Sequence, residues 1–494
     1  MSESKQLKKK ATAGVVWVSL QKLSTTVLTF ISEIVLARLL MPYDFGCIEM
    51  LAIFMLLAEA IVSGGFGAAL IQKKRPTQVD YSTIFFWNMG MAAVMYVVLF
   101  VSAPAISRFY SIPLLSSVLR VQGLVLFVYA FKIIQVNQLK KQLRFKILAI
   151  VNVLSSIVSL IGTIILAYKG FGVWALVARN LMLGILTSTI YWFYVKWRPS
   201  LVFSWRSFKE LFSFGFYMFL SHIVTIFSSK LQGLLIGRVF NPSTMGYYSK
   251  ASGTEGIASS TISQIMDQVT YPLYAEVQDN KATMQAMVRR LSMTLSYVTF
   301  PVLFLLLLVA KPMFVLLYSE KWLPSVPYFQ VLCIGGIAQC LQSVNFQTIS
   351  AIGKSKVTFV WTMIKRGMGI CFIVGGLAFW GMRGILCGAV LNAWFAYFVN
   401  MGLVSKHIGY RWYKQLWDLF PVFVASALSA VVSYGVASLL HWEMYPDGAI
   451  KILVYVILYM GWSFIMKPEA YLYSKSLIIP ILSRIFNSLR RQPA

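Results

Sequence analysis

Ser19, Lys22, Thr26, Thr29 and Glu33 are spaced 3-4-3-4 through an otherwise apolar stretch near the N-terminus. That interval stacks side chains on one face of a helix. Lys22 and Glu33 then lie about three turns apart, roughly 16 Å. At an offset of 200 residues His222, Thr225, Ser229 and Gln232 repeat the stripe, with Lys230 beside it. Lys22 falls over His222, so a cationisable group recurs. The stretch after the first stripe carries Glu49 and Glu59. The stretch after the second, "ASGTEGIASSTISQIMDQV", carries Glu255 and Asp267, and Arg179 sits in "WALVARN". Amines and imidazole attract anions, and hydroxyls and amides hydrogen-bond polar groups. These twelve residues (Lys22, Thr26, Thr29, Glu33, Glu59, Arg179, His222, Thr225, Ser229, Lys230, Glu255 and Asp267) are expected to line one central binding space.

The elements that hold them are membrane helices. Of 494 residues, 58% are hydrophobic and 12% charged, and the mean hydropathy is +0.72. Runs of about 20 apolar residues recur from end to end, too long for barrel strands. Fourteen spans are expected, at 12–36, 46–70, 83–104, 114–135, 147–168, 172–195, 211–237, 251–275, 288–310, 327–350, 357–380, 384–404, 416–439 and 449–466. The fold class is an all-α polytopic bundle with no separate soluble domain. The basic start "MSESKQLKKKATAG" leads into a full-length span without a small-residue cleavage site, so it reads as a retained first helix.

The net charge of +28 has a topological explanation. With Arg289, Arg290, Lys365, Arg366 and Lys451 counted with the loops they adjoin, loops on the N-terminal side of the spans hold 30 of the 44 Lys and Arg, the opposite loops nine, and the spans five. Lys and Arg collect on the cytoplasmic side, which puts both termini in the cytoplasm and leaves no need for a nucleic-acid partner. Ten charges fall inside spans, each costing about 2.5–3.5 kcal/mol at mid-bilayer. They must be paired or face water. Arg120 and Lys132 lie near expected helix ends and can snorkel.

Other chemistry is poorly represented. The five cysteines are scattered without CxxC spacing, and His222, His407 and His441 lie in different segments, so no metal set is expected. No GxxxxGK[ST] occurs, so the chain is not expected to hydrolyse ATP, and no cofactor is implied. Glu320, Glu443 and Asp447 are acids of the outer loops, all in short connections. That is little equipment for an enzyme.

The strings "ARLLMPYDFG" and "GRVFNPSTMG" place Arg38, Pro42 and Gly46 over Arg238, Pro242 and Gly246. Pro stops the helix before it, Gly permits conformations other residues resist, and Arg reaches the interface. Further on, "FYSIPLLSSVLRVQGL" matches "LYSEKWLPSVPYFQVL" at an offset of 208, and "GFGVWALV" matches "GMRGILCG" with Gly172 over Gly384. Six spans per copy give both halves one orientation, a parallel repeat. The expected organisation is a six-helix lobe over 1–204, a second over 205–410, and a helix pair with a basic tail over 411–494.

The motifs "KKKATAGVVW", "ARLLMPYDFG", "GFGAALIQKK", "RFYSIP", "GFGVWALV" and "KWRPSLVFS" together resemble the Wzx-type polysaccharide exporters, especially the colanic-acid and teichuronic-acid branch. These belong to the multidrug/oligosaccharidyl-lipid/polysaccharide flippase superfamily. The resemblance implies a bacterial inner-membrane transporter that carries an undecaprenyl-diphosphate-linked oligosaccharide outward by alternating access of two lobes. It implies membrane lipids, a polysaccharide polymerase and glycosyltransferases as partners. The alternatives are a drug or cation antiporter of the same superfamily and, further off, a membrane-embedded glycosyltransferase.

The 30-to-9 asymmetry makes a direct prediction. In a cysteine-free background, a cysteine at position 142 is expected to resist an impermeant thiol reagent on intact cells and to react once the membrane is opened. Labelling from outside would invert the topology.

Overall fold

The computed structural model describes residues 24–277, 279–440 and 442–475, and among them every regular element is helical. Helix α1 covers 24–39, α2 Pro42–Ser63, α3 Phe66–Gln72, α4 Gln78–Tyr110, α5 Leu114–Gln122, α6 Val125–Lys141, α7 Phe145–Tyr168 and α8 Val173–Tyr194. There follow α9 Trp205–Val239, α10 Pro242–Glu276, α11 Lys281–Leu308, α12 Ala310–Tyr318, α13 Ser325–Ala351, α14 Ser355–Ile408, α15 Trp412–Leu440 and α16 Met444–Met466. Ser19 and Lys22 lie outside the described residues, as do His441 and the end of the tail.

Two compact units form, Met1–Ser249 and Lys250–Ala494. In the first, α2 packs on α9 and α4, α6 on α4 and α8, α7 on α8, and α3 on α9. Phe66, Phe85, Ile134 and Phe208 fill one core there. In the second, α13 packs on α14 and α11, and α15 on α11 and α16. Phe300, Leu341, Tyr397 and Leu419 form part of its core. Compactness groups α9 with the first unit. The lobe boundary expected at 204/205 concerns symmetry, which compactness does not address.

Among the described residues, eleven helices are long and apolar enough to cross a membrane. Three things separate this figure from fourteen. The first expected span begins outside the described residues. Helix α10 is the polar one noted above, absent from the eleven. The third is α14, in which Trp380 and Gly381 leave helical geometry, Gly381 at φ 56° and ψ −130°. Its halves pack antiparallel: Phe372 meets Phe395 at 5.9 Å between ring centroids, and Lys365 Nζ donates to Asn400 Oδ1 at 2.8 Å. The expected 357–380 and 384–404 are thus two antiparallel helices.

The backbone shows the repeat where side chains have diverged. Ser111 (φ 58°) and Ser319 (φ 84°) are non-glycine residues in the left-handed region, 208 apart. Leu143 (φ 57°) and Gly353 (φ 72°) match at 210. Gly172, at φ 52° and ψ −127°, has the conformation of Gly381, at an offset of 209. This corrects the pairing of Gly172 with Gly384: the positive φ fixes the register, and residue similarity alone had slipped it by three.

The doubled turn also needs a corrected reason. Pro42 and Pro242 open α2 and α10 at the first helical residue, where a missing N–H costs nothing. Asp44 Oδ2 accepts from the Met41 N–H at 2.9 Å, and Asn241 Oδ1 accepts from the Thr244 N–H at 2.8 Å. Gly46 and Gly246 lie inside helices. What they permit is contact rather than unusual φ. A Cβ on Gly46 would sit 1.8 Å from the Pro242 carbonyl oxygen, and one on Gly246 would sit 1.9 Å from that of Pro42. The two turns clasp each other reciprocally. Arg38 and Arg238 are exposed at the preceding helix ends, Arg238 over the Phe109 ring at 5.2 Å.

Gly46→Ala or Gly246→Ala therefore forces backbone apart, an overpacking cost of about 1–3 kcal/mol. Spin labels at positions 43 and 243 are expected to show a longer distance in either variant, with a lowered unfolding temperature. An unchanged distance distribution would refute the clasp.

Candidate functional site

A cleft of about 870 Å³ opens within the first unit between the α2–α3 junction and helices α6, α7, α8 and α9. Helix α6 supplies its most polar wall. Tyr129, Lys132, Ile133, Val136, Asn137 and Lys140 all line the cleft, and their spacing of 3, 1, 3, 1 and 3 residues is one helical stripe. Helix α7 adds Phe145, Leu148 and Asn152, and α9 adds Met218, Ser221, His222 and Thr225. Three cationisable groups, Lys132, Lys140 and His222, thus share one wet space with amide, hydroxyl and aromatic groups.

Local structure explains how they are held. Lys132 Nζ donates to Thr187 Oγ1 of α8 at 2.9 Å, and its charge interacts with that of Glu59 on α2. The expectation that Lys132 snorkels from a helix end is wrong. Helices α5 and α6 extend that span to Lys141, leaving Lys132 nine residues from its end. At the floor of the corner, Lys141 Nζ donates to the carbonyls of Ile71 (2.8 Å), Leu70 (3.1 Å) and Lys73, which caps the end of α3. Lys73 bridges Asp80 (3.1 Å) and Glu210 (3.0 Å), tying the starts of α4 and α9 to that corner.

The residues expected to share the binding space are distributed as follows. His222 and Thr225 line the cleft. Glu59 reaches it through its interaction with Lys132. Glu33 accepts from Arg179 Nη1 at 3.4 Å, joining α1 to α8, and Glu49 accepts from Lys230 at 3.2 Å, joining α2 to α9. Thr26 is half-buried, and Thr29 and Ser229 are exposed. Glu255 belongs to the second unit, buried to 8% exposure with Oε1 against Gly336 of α13. Lys22 and the side chain of Asp267 lie outside what the structure describes. Sequence reasoning missed Tyr129, Asn137, Lys140 and Asn152. For the first three the helical stripe in "YAFKIIQVNQLK" was the available signal, overlooked because it sits at the end of an expected span.

Comparison with known proteins bears on what such a cleft serves. Residues 35–327 match the model of a family described as polysaccharide biosynthesis protein. The chain is 25% identical over 461 residues to the teichuronic acid biosynthesis protein TuaB of Bacillus subtilis, covering 90% of this chain and 93% of that one. It is 23% identical over 407 residues to the succinoglycan biosynthesis transport protein ExoT of Rhizobium meliloti, covering 82% and 80%. Among solved structures, the lipid II flippase MurJ in an inward closed conformation matches with a TM-score of 0.69 at 14% identity, over 92% of this chain and 98% of that one. The fold is shared at that level.

The Lys73 bridge carries a pH prediction. Burial opposes its charge, but the hydrogen bonds and attraction of Glu210 and Asp80 outweigh it and raise its pKa above the ordinary 10.5. A raised lysine contributes stability that is fully present below the unfolded value and is lost as pH rises through the folded one. Lys73→Met is expected to unfold at lower temperature than the parent at neutral pH, with the gap closing above pH 10.5. A gap independent of pH would assign the effect to packing.

Proposed function

We propose that this chain, which belongs to the polysaccharide biosynthesis protein family, carries a lipid-linked oligosaccharide across the bacterial inner membrane, from the cytoplasmic to the periplasmic leaflet. The observation that carries the reading is the cluster of Lys132, Lys140 and His222 on one 870 Å³ cleft within helices otherwise apolar enough to span a membrane. A prenyl diphosphate presents anionic oxygens to such cations, which act as movable point charges rather than as a rigid fork. Asn137, Asn152, Ser221 and Thr225 offer donors and acceptors to sugar hydroxyls, and Tyr129 and Phe219 offer ring faces to the apolar sides of sugars. The prenyl tail stays in lipid.

In the same reading, fourteen spans place both termini in the cytoplasm, the two repeat lobes alternate access, and Lys22 belongs to the polar face that receives the diphosphate. Arg179 and Lys230 are engaged by Glu33 and Glu49, so their first role is to join helices. The chain acts as a transporter alongside the polymerase and glycosyltransferases of its glycan, without catalysis of its own. A cationic-drug antiporter fits less well, because three cationisable groups on the cleft repel a cationic cargo.

Export of the glycan in a deletion strain complemented with variants tests this. Lys132→Gln with Lys140→Gln is expected to reduce export at least about tenfold, the loss of roughly 1.4 kcal/mol of phosphate attraction, at normal membrane abundance. The lipid-linked glycan should accumulate inside, and the Arg versions should retain part of the activity. Full export by the well-expressed double variant would remove the cleft from the substrate path. Loss of protein rescued by Glu59→Gln would assign Lys132 to a structural pair.

A further inference from the structure

We infer that the corner of the second unit where α11 begins and α14 ends is a binding site for a phosphate-bearing anion. Lys281 is the first residue of α11, Lys354 immediately precedes α14, and Lys406 and His407 stand in its last turn. All four line one cleft of about 270 Å³, floored by the buried Met284 and Ile408. The ammonium groups of Lys354, Lys406 and Lys281 all act electrostatically on His407. None of the four has an acidic partner among the described residues, and Glu276 and Asp279, the nearest acids in sequence, are exposed and make no described contact with them. Lys281 and Lys354 also stand at helix starts, where the backbone dipole already disfavours a cation. Three mutually repelling ammonium groups around one cleft are a cost that a bound anion removes.

The matching corner of the first unit also carries cations, Arg144 at the start of α7 and Arg198 after α8, but Arg198 is held by the carbonyls of Trp192, Val195 and Trp197. There Gln78 opens α4, its Oε1 accepts from the Trp197 indole at 2.5 Å, and its amide donates to the Arg198 carbonyl at 2.7 Å. A neutral amide and an indole satisfy each other where the second unit has lysines and an imidazole. The site's depth points to its ligand. Three candidate spans, Lys281–Leu308, Ser325–Ala351 and Lys356–Ile408, each have an end there, which is headgroup level. One turn into α14 the exposed Phe359 and Val360 are suited to acyl chains. A phosphate oxygen is the shared chemistry, supplied either by an anionic phospholipid headgroup or by free phosphate. The inference does not depend on what the first unit transports.

The full chain in phosphatidylcholine nanodiscs tests it by thermal unfolding, titrated in one arm with phosphatidylglycerol and in the other with inorganic phosphate. A saturable rise in Tm is expected in at least one arm. A response to phosphatidylglycerol alone assigns a lipid headgroup, and a response to phosphate as well assigns a free anion. Lys281→Gln, Lys354→Gln and Lys406→Gln combined should weaken the response on the order of a hundredfold, while Lys169→Gln should leave it unchanged. Should the triple variant fail to fold, Lys354→Gln alone should weaken it several-fold and Lys354→Arg should retain it. No saturable rise in either arm, or the same response from the lysine variants, overturns the site.

Discussion

A charge placed within a membrane bundle has two tolerable fates: an opposite charge within reach, or a pocket of water. That constraint sorts the polar residues of this protein. Arg179 and Lys230 take the first course, each meeting a glutamate from another helix at 3.4 and 3.2 Å. His222 takes the second, lining the cleft between α6, α7 and α9, while Lys132 lines the same cleft with the charge of Glu59 in reach and Thr187 as its acceptor. Lys365 uses a neutral amide, Asn400, across the α14 hairpin.

The helices themselves were legible in the sequence because lipid allows little else. Apolar runs of this length follow from backbone satisfaction in hydrocarbon. The binding wall was harder to see. The stripe Tyr129–Lys132–Asn137–Lys140 has ordinary helical spacing, yet it straddles the end of the apolar run that defined its span. Judged by hydropathy, Lys132 looked like an anchor. Judged by the structure, the same helix continues to Lys141 and carries its polar face into the cleft. His222 and Thr225 were found because their stripe lies in mid-span. Lys230 and Arg179 were found as charges, but their partners come from other helices, a distance that no local pattern reports.

Duplication left different marks on backbone and side chains. Ser111 with Ser319, Leu143 with Gly353, and Gly172 with Gly381 keep a left-handed φ at offsets of 208–210. Two of these three pairs contain a residue that pays for that conformation. Such positions persist because the chain must reverse there for the next helix to pack, whatever residue occupies them. Side chains are freer. The corner that Gln78 and Trp197 close in the first unit is occupied by Lys281, Lys406 and His407 in the second. Each half kept the geometry and acquired its own electrostatics.

In the turn written twice a whole set of residue types survives along with the backbone. A reciprocal contact explains why. When a surface meets its own repeat across a local two-fold, each group appears on both sides, as in an isologous dimer. Gly46 faces the Pro242 carbonyl and Gly246 faces the Pro42 carbonyl, at distances that leave no room for a Cβ on either helix. Adding a side chain to one copy cannot be compensated by trimming the other, because what blocks it is backbone. Drift is therefore barred in both copies at once. The arginines and prolines that bring the helices to that point share the constraint, which is why Arg, Pro and Gly recur there at identical spacing while most of the surrounding sequence does not.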